Sequence, residues 1–323
     1  MNNASRVRLI LLQALVLGAV VAFGAWLIHN TLTNLESRGI ATGFAYLERQ
    51  ASFQIGETLI AFAPTDTYLR ALMVGLLNTL EVAILGCVLA TFLGVAIGIA
   101  RLSSNWLVRT LAAVYVEAVR NVPLLLQLIV WWDVLRVSAP APREAWLLMP
   151  GVFLSNRGLV FPLPSFTDGF HWDIPHLVGF NFAGGHTVTP EFAALLAGLV
   201  VYTAAFIAEI VRSGIAGVAK GQGEAAAALG LKPWLAMRLV ILPQAKRIVI
   251  PPMIGEYLAL TKNSSLAVAI GFPELMSITN TTLNQTGQAI EAITLMMVVY
   301  LGLSLATSGV LNWVNARAAL QGR

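Results

Sequence analysis

The residues of this chain best placed to do chemistry are charges set inside apolar runs. Lys262 begins the polar word Lys262, Asn263, Ser264, Ser265 within an otherwise apolar stretch. An ammonium at mid-membrane depth costs about 2.5 to 3.5 kcal/mol on insertion scales, so it must face protein or a water-filled path. Seven residues separate Glu256 from Asn263, which puts the two on one helix face. Lys262 points about 120° away from Glu256, so those two are not an intrahelical pair. Glu209 ends another apolar run, three residues before Arg212, with which it can pair. Glu209, Glu256, Lys262, Asn263, Ser264 and Ser265 are therefore candidates for lining a path for a polar solute. Hydrogen bonding between helices is the competing use of the same groups. Glu117 and Arg120 are also three apart and can neutralise each other.

Catalytic constellations are missing from the sequence. No GxxxxGK[ST] loop follows any lysine, and neither a nucleophile elbow nor an HExxH word occurs. His171, Asp173 and His176 have no second cluster at ligand spacing and read as loop residues rather than metal ligands. Cys87 lies in an apolar run, has no cysteine partner in the chain, and reads as a small buried hydrophobe. The expectation is no catalytic residue, no metal and no cofactor held by this chain.

The stretch 214–243 reads GIAGVAKGQGEAAAALGLKPWLAMRLVILP. It is a polar, basic excursion between two apolar runs. Glu224 to Leu229 are strong helix formers, with Glu224 placed as an anion near a helix start. Gly230 is suited to a left-handed cap. Pro233 then suits the first turn of a second short helix, which is expected to end at Pro243.

Here a resemblance becomes specific. Glu-Ala-Ala, three residues, Gly, nine residues, an aliphatic residue, one residue and Leu-Pro resembles the EAA loop of membrane subunits of bacterial ATP-binding-cassette importers. Glu224, Ala225, Ala226, Gly230, Val240, Leu242 and Pro243 match that spacing. RNVPLLLQL from Arg120, AEIVRSGI from Ala208, KGQGEAA from Lys220 and LTKNSSLAVAIG from Leu260 are similar to words of the polar amino acid branch. The likeness covers roughly residues 70 to 315. Val240 replaces the usual Ile, Ala219 a common Pro, and Lys232 a common Ser cap, which weakens the case for a side-chain cap there.

The elements that must carry these residues are membrane spans. The chain is 57% hydrophobic and 11% charged, where a soluble domain carries about 25% charge. The basic residues border apolar runs, so the net charge of +4 does not point to nucleic acid. Residues 9–28 are long enough to span, which takes about 20 residues. They exceed the ~15 residues of a signal-peptide core, the rival reading, so 1–30 is expected to be a retained anchor. Residues 31–69 then form an external segment, 70–316 a core and 317–323 a cytoplasmic tail. The core spans are expected near 72–100, 111–135, 192–211, 248–271 and 292–313. Gly94 and Gly98 permit close packing in the first, and Pro123 bends the second. Residues 137–190 hold seven of the fourteen prolines and are expected to be an external insertion. With both termini inside, twelve of the twenty Lys and Arg lie on the cytoplasmic side and six outside, the sense of the positive-inside rule.

The resemblance implies an all-α polytopic membrane protein of about six transmembrane helices: a five-helix importer permease core plus an N-terminal helix. It implies a permease subunit of an ATP-driven L-amino acid importer in the bacterial inner membrane. The N-terminal span and the long insertion look like the broad-specificity branch. ATP and Mg would be bound by a cytoplasmic ATPase dimer. A second permease subunit, an external amino acid-binding protein and membrane lipid would be the other partners. Gly223, Glu224, Ala225, Ala226, Gly230, Leu242 and Pro243 would couple to the ATPase. The alternative is a self-sufficient ion-coupled transporter or channel, a class that often shows inverted repeats; no convincing internal repeat is visible.

Overall fold

Helix α2 (Tyr68–Ala100) is the element against which most of the others pack. Its inner half meets α5 (Pro190–Ala216) through glycines. A methyl group on Gly94 would lie 2.6 Å from Ile207 Cβ and 2.9 Å from the Ala204 carbonyl oxygen. One on Gly98 would lie 2.8 Å from both the Ala208 carbonyl oxygen and Val211 Cβ. Only a hydrogen fits in either place, which is the close approach the spacing of the two glycines predicts. Around this contact Val82, Ala90, Leu195, Leu199 and Leu260 form a fully buried core. The computed structural model describes the backbone of residues 3–39, 42–165 and 170–320, with side chains at 3–7, 314 and 317–320 excepted. Of the expected tail, 321–323 lie outside the described residues.

Helix α1 (Asn3–Ser37) carries an apolar window with none of its residues buried against the rest. Helices α3 (Trp106–Asn121) and α4 (Leu124–Val137) form the second expected span, bent by 104° at Pro123. Proline has no N–H for the Val119 carbonyl. The Gln127 amide replaces it, donating to the carbonyls of Val119 and Val122 at 2.9 Å each. The expected Glu117–Arg120 pair is not among the described ion pairs. The Arg120 guanidinium sits 4.9 Å from the Phe206 ring centre on α5 instead.

Among the described residues, four helical segments are long and apolar enough to cross a membrane: Arg8–Ser37, Tyr68–Ala100, Pro190–Ala216 and Ala289–Trp313. The bent pair makes a fifth when counted as one. The remaining expected span falls on α8 (Leu242–Asn263) and the 3-10 segment Ser264–Ile270 after it. Lys246, Arg247, Glu256 and Lys262 make α8 more polar than the others. Helices α9 (Leu275–Thr286) and α10 (Ala289–Leu320) complete the core. Glu274 is buried and caps α9, accepting from the Met276 and Ser277 N–H groups at 2.8 Å. The Tyr300 hydroxyl of α10 also donates to it, at 2.8 Å.

Alongside the helices, the 137–190 insertion carries eight short strands among its described residues. β1 (Trp146–Met149), β2 (Val152–Ser155), β3 (Gly158–Phe161) and β8 (His186–Val188) form one antiparallel sheet in that order. β4 (Leu163–Ser165) pairs with β5 (His171–Asp173), and β6 (His176–Val178) with β7 (Asn181–Ala183). Pro150-Gly151, Asn156-Arg157 and Gly179-Phe180 make two-residue turns between runs too short for helices. The stretch 42–67 packs through Tyr46 and Ala51 onto Tyr68, Ala71 and Leu275.

Candidate functional site

Between α5 and α8 the chain forms two short helices with a sharp turn. Helix α6 (Lys220–Ala228) ends in a full Schellman cap. The Leu231 N–H donates to the Ala226 carbonyl at 3.1 Å and the Gly230 N–H to the Ala227 carbonyl at 2.9 Å. Gly230 has φ +75°, the left-handed conformation expected of it. Helix α7 (Pro233–Ala236) starts on Pro233, and Lys232 supplies no side-chain cap, in keeping with its departure from Ser.

Two details differ from expectation. Helix α6 begins at Lys220, so Glu224 lies in its second turn rather than at its start. The helix runs through Gly221 and Gly223, and the Gln244 amide of α8 donates to the Gln222 side chain at 3.1 Å. The second helix does not stop at Pro243. It passes through a π turn, Met237–Ile241, into α8, so that helix continues from Pro233 to Asn263. The Leu242 N–H bonds five residues back to the Met237 carbonyl. That wider turn leads into Pro243 in the first turn of α8, where a missing N–H and a bulky ring would otherwise break the helix.

Ala226, Ala236 and Ala245 turn inward and are buried. The opposite face leaves Leu229 82% and Trp234 58% exposed, with Met237 and Leu239 also uncovered. Large apolar side chains gathered on a charged loop mark a surface for a partner. A methyl group on Gly223 or Gly230 would meet nothing within 4 Å.

At the far end of α8, Lys262 and Ser265 line a cavity of about 310 Å³ with Met276, Met296, Tyr300 and Ser304. Lys262 is exposed and Asn263 half-buried. The hydroxyls of Ser264 and Ser265 donate back to the Thr261 and Lys262 carbonyls, both at 2.7 Å. Glu256 does not line this cavity; it is half-buried and feels the charge of Arg120 on α3. Glu209 lies elsewhere. Its carboxylate accepts from Arg212 at 2.5 and 3.1 Å and from Arg101, the residue that ends α2. The pairing with Arg212 is readable from spacing; the arrival of Arg101 is not.

A family model described as "Binding-protein-dependent transport system inner membrane component" matches residues 90–319. The chain belongs to that family. This permease is a multi-pass membrane protein and a transport subunit, not an enzyme. It is 44% identical to the general L-amino acid transport system permease protein AapQ of Rhizobium johnstonii, over 97% of this chain and 92% of the relative. It is 37% identical to the glutamate/glutamine/aspartate/asparagine transport system permease protein BztB of Rhodobacter capsulatus, over 99% of this chain and 95% of that one. Among solved structures, an amino acid ABC transporter with histidines shares the fold. The TM-score is 0.59 at 24% identity, covering 77% of the permease and 95% of that chain.

One carboxylate of the permease has neighbours that no local sequence signal announces. Glu57, in the segment before α2, accepts from the Thr189 hydroxyl at 2.5 Å, while Glu81 and Glu191 act on it from α2 and α5. Burial above all, then the Glu81 and Glu191 carboxylates, push its carboxyl up to about 7 against the lowering effect of the Thr189 hydrogen bond.

Proposed function

We propose that this permease forms half of the translocation path of an ATP-driven importer for L-amino acids. The substrate class rests on the relatives, whose names specify general L-amino acids in one case and glutamate, glutamine, aspartate and asparagine in the other. The ATPase is a separate cytoplasmic subunit pair that binds ATP and Mg, and an external amino acid-binding protein delivers the substrate. A second permease subunit completes the pore. Both termini and the 214–243 loop face the cytoplasm, and the strand-rich insertion faces outward.

The observation that carries this reading is the unbroken helix from Pro233 to Asn263. It spans about 45 Å at 1.5 Å per residue. One end presents Trp234, on the surface offered to the ATPase, and the other ends beside Lys262 and Ser265. An ATPase that grips Leu229 and Trp234 moves α6 and α7 as a body. Gly223, Glu224 and Ala225 give α6 a slim outer face for that contact, Ala226 packs its inner face against the rest of the permease, and Gly230 fixes its angle to α7. Leu242 and Pro243 pass the motion into α8. Pro251 and Pro252 lack N–H groups for the Arg247 and Ile248 carbonyls, so α8 can flex between the loop and the cavity. Lys262, Asn263, Ser264 and Ser265 then change their exposure to the path, with Glu256 one to two turns nearer the loop. Glu209 serves by holding the inner ends of α2 and α5 together.

The test is to co-purify the permease with its ATPase and second permease, then measure ATP hydrolysis against a panel of amino acids with the binding protein present. Hydrolysis stimulated by a subset of L-amino acids is expected. A permease that retains no ATPase and shows no such stimulation would overturn the reading.

A further inference from the structure

An open groove of about 670 Å³ lies where α2 and α5 end against the face of α3, away from the Lys262 cavity. Its polar end is made by Arg101, Arg109, Thr110 and Arg212, and it continues along Val114 and Ala118. Two of the three guanidiniums are already fixed in place. Glu209 takes two N–H groups of Arg212 and one of Arg101. A guanidinium has five N–H donors, so both keep donors to spare. The Arg101 side chain is only 12% exposed, which restricts its motion. Arg109 is exposed, and its guanidinium makes no hydrogen bond or ion pair among the described residues. Three cations thus face one carboxylate at this end, and Glu117 enters the groove only two turns further along α3.

Position adds to charge. Trp106, 66% exposed, sits one turn before Arg109, where an aromatic side chain suits a membrane–water boundary. Between Thr110 and Glu117 the exposed residues of α3 are Leu111 and Val114, both apolar; Glu117, Arg120 and Asn121 are exposed beyond them. The groove therefore joins a basic end at interface depth to a strip of Ala113, Val114 and Ala118 running into the membrane, with Glu117 and Asn121 along its further part.

We propose that this groove binds an anionic phospholipid of the cytoplasmic leaflet, its phosphate on the three arginines and an acyl chain along Val114 and Ala118. The inference rests on the orientation given above, which puts this end of α2 and α5 inside. Guanidinium forks match phosphate oxygens two at a time. Basic groups between spans on the cytoplasmic side are a recognised setting for anionic headgroups, worth about 1 kcal/mol or roughly fivefold in affinity for each arginine near the surface. Arg212 lies at the end of α5, just ahead of the 214–243 loop, so a bound lipid would brace the helix ends from which the loop hangs.

The assembled transporter, equilibrated with equimolar phosphatidylglycerol and phosphatidylethanolamine, can be examined by native mass spectrometry. Wild type is expected to retain phosphatidylglycerol preferentially. Arg109→Gln is expected to reduce that retention about fivefold, with Arg109→Lys intermediate, and Arg38→Gln at the opposite membrane face without effect. No preference for phosphatidylglycerol, or a preference that Arg109→Gln leaves intact, would overturn the proposal. So would complete displacement of the lipid by inorganic phosphate, which would mark a site for soluble anions. Loss at Arg38→Gln rather than Arg109→Gln would indicate the inverse orientation. The readout does not depend on transport, so it remains decisive even if the substrate assignment fails.

Discussion

Replacing Gly230 by Ala adds one methyl group to the 214–243 loop. That methyl group would meet no atom within 4 Å, so the change introduces no clash. The cost is in the backbone alone. At φ +75° an L-residue is in the left-handed region, which costs about 1 to 2 kcal/mol. That disfavours the capped turn roughly 5- to 30-fold relative to other loop conformations. The two hydrogen bonds of the Schellman cap set the angle between α6 and α7, and with it the joint surface of Leu229 and Trp234. Asn tolerates the left-handed conformation better than Ala, so Gly230→Asn is the rescue variant. The assay is amino acid uptake per ATP hydrolysed in proteoliposomes, with ATPase retention on purification. Gly230→Ala is expected to lower both, Gly230→Asn to lie close to wild type, and both to leave the thermal midpoint of the membrane domain unchanged. Full uptake per ATP in Gly230→Ala would refute the reasoning. So would equal losses in the two variants together with a fallen thermal midpoint.

Gly94→Ala is expected to destabilise the purified protein by about 1 to 3 kcal/mol, because the new methyl meets Ile207 Cβ and a backbone oxygen rather than a movable side-chain tip. Gly255→Ala, which meets nothing within 4 Å, is its control in thermal unfolding; equal midpoints would contradict the packing account. Glu209→Gln should lower the thermal midpoint more than Glu117→Gln, since it strips the carboxylate from two arginines; a loss of transport at unchanged stability would return Glu209 to the solute path. The segment around Glu57 should respond to pH. A carboxyl raised from 4.5 to about 7 on folding holds its proton more tightly in the folded state. Its contribution is therefore complete below about 4.5 and is lost as pH rises through about 7. Hydrogen exchange across residues 50–60 should lose protection over that window, Glu57→Gln should not, and matching profiles would sink the assignment.

Much of the helical frame was legible because membrane spans need long apolar runs and leave little else for those runs to be. Gly94 and Gly98, Pro123 and Gly230 were also legible, since each acts through a backbone property that a sequence states directly. The hairpins of the insertion were written in Pro150-Gly151 and Gly179-Phe180, but runs of three or four residues carry no periodicity to read. Helix α8 was harder. Pro243 reads as a stop, and only the π turn before it lets the helix pass. The start of α6 at Lys220 was not legible either, since Gly221 and Gly223 are poor helix formers and the turn is held to α8 by the Gln222–Gln244 contact. Contacts between distant parts were not legible at all. Arg101 reaches Glu209 across 108 positions and Thr189 reaches Glu57 across 132, and nothing local announces either partner.

The central claim is that uptake through this permease is driven by ATP hydrolysed on a separate subunit. Proteoliposomes holding the whole transporter can be supplied with ATP on the ATPase side and a radiolabelled L-amino acid with binding protein on the other. Uptake that needs both, and that persists when an ionophore collapses every ion gradient, is the predicted result. Uptake by the permease without ATP, abolished by the ionophore, would contradict it.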